Sequence, residues 1–159
     1  MSEVPGYLHT QNGIIRPIML FAAVIWLVLA YASRGHVVPL VVLTAGAVVI
    51  GVFSFAFASL TIRDEGDRLA VRFGPLSVFR MSIPYERITG VERDRVGLPG
   101  GMGIHWTRKG WLWNIRMGPC VRIQMGPKTL LLGTDDPEGF VAFLRSRIEE
   151  NDPAGSRAL

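Results

Sequence analysis

Trp106, Arg108, Lys109 and Trp111 place two aromatic rings and two cations within six residues. Such a combination suits the boundary between lipid headgroups and acyl chains, or contact with a partner. The competing reading is a strand whose alternating tryptophans belong to a core and whose Arg108-Lys109-Gly110 turn is merely basic. Trp111 and Trp113 share a strand face, so docking requires only Trp106 or Leu112 to be exposed. The second candidate is the loop carrying Gly97, Gly100, Gly101 and Gly103. It lacks the Gly-Lys-Ser/Thr ending and the following helix that aim backbone donors at a phosphate, so it reads as a connection able to order on a partner.

No catalytic constellation emerges. His9, His36 and His105 are too dispersed for a metal site to follow from spacing, and the single Cys120 excludes a cysteine-rich one. Cys120 has no evident histidine partner and reads as a small buried residue. Asp135 and Asp136 resemble an acid/base pair, yet helix capping explains both. No serine or cysteine stands in a nucleophile motif, so the chain is expected to be no enzyme and to need no metal or cofactor.

The elements that must position these residues begin in a membrane. Val37 to Leu60 is twenty-four residues without a charged side chain, long enough as a helix to cross a hydrocarbon core. Ile18 to Ala32 is a second uncharged run, with Arg16 able to snorkel at its start. Ala30-Tyr31-Ala32 resembles a signal-peptidase site, but the long apolar run that follows favours a retained helix. Passes over about residues 18–33 and 37–59, joined by the Ser33-Arg34-Gly35-His36 turn, make a transmembrane hairpin within residues 18–60. Arg16, Arg63, Arg68 and Arg72 outnumber Arg34, which predicts both termini on the cytoplasmic side of an inner (plasma) membrane. Ala47 and Gly51 form a small-xxx-small pair suited to close helix packing.

Residues 1–17 read as a mobile lead-in, 61–150 as one soluble domain and 151–159 as a flexible tail. Thr61 to Gly133 holds twelve Lys and Arg against six Asp and Glu, a surplus that anionic lipid attracts but that also fits solvated strand faces. No basic cluster interleaved with exposed aromatics at strand spacing points to nucleic acid. Period-two alternation in Leu69, Val71, Phe73 and in Phe79, Met81, Ile83, with turns at Gly74-Pro75, Lys109-Gly110, Gly118-Pro119 and Gly126-Pro127, predicts an antiparallel barrel or sandwich. Asp136-Pro137-Glu138 starts one soluble helix with the stripe Phe140, Val141, Leu144 and Ile148.

Short antiparallel strands followed by one C-terminal amphipathic helix form the plan of the pleckstrin-homology (PH) superfold. Gly103-Ile104-His105, Gly110-Trp111-Leu112-Trp113-Asn114 and Gly133-Thr134-Asp135-Asp136-Pro137 give residues 14–150 a pattern that resembles the bacterial PH-like domain membrane proteins. The resemblance implies a helical hairpin carrying a PH-like barrel on the cytoplasmic face. Phosphoinositide-gripping PH domains have basic residues at the first hairpin turn, whereas Asp64-Glu65-Gly66-Asp67 supplies three acids. The expected role is a non-catalytic adaptor or scaffold for a protein partner. The alternatives are an anionic-lipid sensor, or a structural subunit of a larger complex or homo-oligomer.

Overall fold

The computed structural model describes residues 6–97 and 100–151. The first uncharged run, extended back through Arg16 to Ile15, forms α1 (Ile15–Ala32), and the second forms α2 (Val37–Ala56). At 1.5 Å per residue these reach about 27 and 30 Å, and both are long and apolar enough to cross a membrane. Ala23, Ala30 and Ala47 are buried. The glycine that permits the closest helix approach is Gly46, where a Cβ would lie 2.0 Å from the Trp26 ring. The expected small-residue pair is thereby split: Ala47 is buried, whereas a Cβ on Gly51 would meet nothing within 4 Å.

Of the expected lead-in, residues 1–5 lie outside the described residues, and the described part differs from expectation, because Leu8–Asn12 is a strand, β1, paired antiparallel with β2 (Ser59–Asp64). Register runs from Asn12 opposite Ser59 to Leu8 opposite Arg63. The Gly13 amide donates to the Ala58 carbonyl at 2.9 Å, so the helix pair emerges directly from the end of a β-ladder without a linker. Strand pairing also ends α2 at Ala56, before the uncharged run is finished, because Ser59 and Leu60 already serve β2.

Strands β1, β2, β3 (Arg68–Phe73) and β4 (Arg80–Pro84) form a four-stranded antiparallel sheet in chain order. The second sheet contains β5 (Gly90–Val96), β6 (Gly103–Thr107), β7 (Gly110–Asn114), β8 (Gly118–Met125) and β9 (Lys128–Gly133), in the order β5-β8-β9-β7-β6. Here the expectation of purely antiparallel pairing is corrected: β7 and β9 run parallel, with Trp111 opposite Leu130 and Trp113 opposite Leu132. The cause is topological. Consecutive β7 and β8 run in opposite directions across the short connection of residues 115–117, and β9, antiparallel to β8, lies between them and so shares the direction of β7. Among the described residues the strands form two sheets and no closed barrel.

The sheets and α3 (Pro137–Asn151) enclose one main core, to which Phe73, Ile83, Ile123, Leu132, Phe140 and Leu144 contribute. Asp136 caps α3 by accepting the Gly139 amide at 3.0 Å. Phe143 joins the expected apolar stripe, and the residues of the expected tail beyond 151 lie outside the described region. Arg147, also on α3, reaches Asp64 at 2.5 Å, and the same carboxylate accepts from the Tyr85 hydroxyl and the Gly66 amide, both at 2.8 Å. This cluster ties the helix to the β2–β3 turn. Burial acts to raise the Asp64 carboxyl, but the Gly66 amide, Tyr85 hydroxyl and Arg147 guanidinium outweigh it and hold the group below its ordinary range.

Candidate binding cleft

Cross-strand register carries one row of side chains over the whole second sheet: Glu92, Arg122, Leu131, Leu112 and His105. Directly opposed residues project from the same face. Val96, Leu112, Cys120 and Leu131 form a second, smaller buried cluster. Leu112 and Leu131 belong to that row, so this face is partly covered rather than wholly open to water.

The cover comes from curvature. β5 and β6 are the end strands, four steps apart, a separation of about 19 Å in a flat sheet. Yet Lys109 Nζ, in the turn between β6 and β7, donates to Asp94 Oδ1 of β5 at 3.0 Å. The sheet therefore curls until its two edges face each other over the small cluster. A cleft of about 650 Å³ lies between them, bordered by Arg95 to Gly97, Gly100, His105 to Lys109 and Leu131.

Asp94 is the pivot of the charge arrangement. Arg122 meets its second oxygen at 2.5 Å and also lies 3.6 Å from Glu92. Burial pushes the Asp94 carboxyl upward, but the Arg95 amide, Lys109 and Arg122 more than compensate and keep it below the usual carboxylate range. Arg95 and Arg108 make no ion pair among the described residues, so the rim retains uncompensated positive charge. Beneath it, burial pushes the Cys120 thiol up to about 11, with the Asp94 charge adding to the effect.

The glycine loop is pinned at several points. His105 Nε2 lies 2.6 Å from the Gly100 carbonyl, Asn114 Nδ2 donates to the Gly101 carbonyl at 3.3 Å, and Asn114 Oδ1 accepts the Gly103 amide at 2.9 Å. Gly101 and Gly103 both have positive φ, at 69° and 106°, which favours glycine there. Leu98 and Pro99, within the expected loop, lie outside the described residues.

The sequence candidates consequently separate. Arg108, Lys109, Gly97 and Gly100 border the cleft, as does Trp106, whose ring packs edge-on against Trp111 at 5.6 Å. Trp111 does not line it and is half-exposed, whereas Trp113 on the same strand reaches the core and meets Phe73 at 5.5 Å. Leu112 is fully buried. No motif in the sequence points to Asp94, Arg95, Arg122 or the docking of His105. The only local signal was the charge run Glu92-Arg93-Asp94-Arg95, which reads as a solvated strand. Asp136 caps α3 as expected, but Asp135 contacts His9 on β1 instead of the helix. No group of three His, Cys, Asp or Glu among the described residues is arranged to hold a metal ion.

No protein-family model matches this chain, and no curated protein matches it significantly.

Proposed function

We propose that this chain is a non-catalytic, membrane-tethered adaptor whose cleft receives an acidic, extended segment of a protein partner at the cytoplasmic face. The carrying observation is the cleft between β5 and β6, with Arg95 and Arg108 uncompensated at its rim. Both strands are sheet edges, and edges offer backbone donors and acceptors to an added strand. Acidic side chains on such a strand complement the rim, while Leu131 supplies an apolar floor. The helix pair holds the cleft near the bilayer, and the arginine bias about the helix ends supports a cytoplasmic orientation in an inner membrane. A PH-like kinship belongs to the same proposal, supported by two sheets followed by a terminal helix.

Lipid docking through the β6–β7 turn is less well supported. Gly103, at the start of β6, lines one pocket together with Ile15, Met19, Phe53 and Phe57 at the helix bases. Thr107 lies four residues farther along the strand, about 13 Å away. The test is anisotropy of a labelled acidic peptide titrated with full-length protein in nanodiscs of neutral lipid. Saturable, salt-sensitive binding that a neutral peptide of the same length does not share is expected. Equal binding of both peptides would refute the charge-reading cleft.

A further inference from the structure

The connection between β3 and β4 is an apolar loop rooted on the end of α2. The Gly74 amide donates to the Ser59 carbonyl at 2.7 Å, and Gly74 has a left-handed φ of 61°. A Cβ there would lie 2.4 Å from the Phe55 carbonyl, so the root presses against the final turn of the helix. At the other end the Phe79 carbonyl accepts the Phe73 amide at 2.8 Å, and the Phe79 ring lies 5.5 Å from that of Phe57. Between these fixed points Leu76 and Val78 project outward, 66% and 61% exposed.

Nothing in the described chain covers that tip, but its position says what does. A helix leaving a bilayer at Ala56 places a loop rooted at Phe55 to Phe57 beside the interface, where exposed Leu and Val side chains gain by leaving water. Charge agrees. Arg80 follows Phe79 directly and stands opposite Arg72 across the β3–β4 ladder, a like-charge pairing that is unfavourable in isolation. Glu65 engages Arg72 at 2.7 Å, whereas Arg80 has no ion pair among the described residues.

We infer that the tip formed by Leu76, Val78 and Phe79 seats in the lipid interface beside α2, with Arg80 at the level of anionic headgroups. This inference rests on the membrane-spanning reading of α1 and α2. It adds a third attachment to the two helices and fixes how the domain, and with it the cleft, is tilted over the bilayer.

The full chain is reconstituted in vesicles of phosphatidylcholine with phosphatidylglycerol, carrying an environment-sensitive fluorophore on one introduced cysteine at Leu76, Val78, Val48 or Ser82. Cys120 is buried and stays unlabelled. Val48, on an exposed face of α2, reports whether the helix spans, and Ser82 is the reference on the sheet. Blue-shifted emission and quenching by spin-labelled lipid are expected at Leu76 and Val78 with a shallow label and at Val48 with a deep one, but not at Ser82. Quenching at Val48 with Leu76 and Val78 no more quenched than Ser82 would overturn the inference and leave the loop to a protein partner. Absence of quenching at Val48 would instead refute the spanning reading, and the inference with it. Arg80→Glu should reduce loop quenching in the mixed vesicles and leave it unchanged in phosphatidylcholine alone; equal quenching before and after the change in both would remove the headgroup contact.

Discussion

Lys109 and Asp94 approach to 3.0 Å although they belong to opposite margins of a five-stranded sheet. This pair records the curl that turns one sheet face into a cleft, and it places a cation where the floor changes from apolar to charged. Lys109→Ala should open the cleft without unfolding the domain, since the ammonium is half-exposed and surface ion pairs contribute about 0–1 kcal/mol. Amide exchange in β5 and β6 should quicken while β2 and β3 remain protected. Uniform loss of protection would show that the pair supports the whole fold.

The Asp64–Arg147 pair is far less exposed and has hydrogen bonds around it. Arg147→Ala leaves a buried carboxylate without its cation, and a loss of about 3 kcal/mol is expected in denaturant titrations. Arg145→Ala, on the exposed face of the same helix, should cost less than about 0.5 kcal/mol. Similar losses for the two variants would contradict the assigned roles.

Acid should find the same carboxylate. The native Asp64 group titrates below its unfolded value, so its stabilising contribution is complete above about pH 4 and disappears as pH falls through the lower native value. Asp64→Asn should therefore be less stable than wild type at neutral pH, with the gap narrowing as the solution is acidified below about pH 4. A gap independent of pH would assign the loss to packing.

Gly46 and Gly51 should respond differently to alanine. A Cβ at Gly46 forces the Trp26 ring aside, whereas Gly51 opens onto free space. Gly46→Ala is expected to destabilise the helix pair by about 1–3 kcal/mol, and Gly51→Ala to stabilise it by about 0.5–1 kcal/mol through the unfolded chain. Thermal unfolding in detergent ranks the two, and the reverse order would place the helix seam elsewhere.

The sequence made the helix pair legible because two long uncharged runs have few alternatives, and it marked α3 because Asp136, Pro137 and Glu138 are start signals on three consecutive residues. β1 was hidden. Leu8-His9-Thr10-Gln11-Asn12 offers one apolar side chain, itself exposed, and becomes a strand by pairing with β2. Alternation could not separate Trp111 from Trp113, since both point to one face and only the extent of the core decides which is covered. Arg108, Lys109 and the glycines stood out as a basic turn and an irregular loop. Their meeting with Asp94 and Arg95 depends on strand order and curl, which no local pattern encodes.

The most direct test of the acidic-segment cleft is a charge exchange in full-length protein held in neutral nanodiscs. Arg95→Glu with Arg108→Glu should lose binding of the acidic peptide at least about tenfold, a change of about 1.4 kcal/mol, and gain binding of the matching basic peptide. Unchanged affinity for the acidic peptide, with no gain for the basic one, would contradict the account.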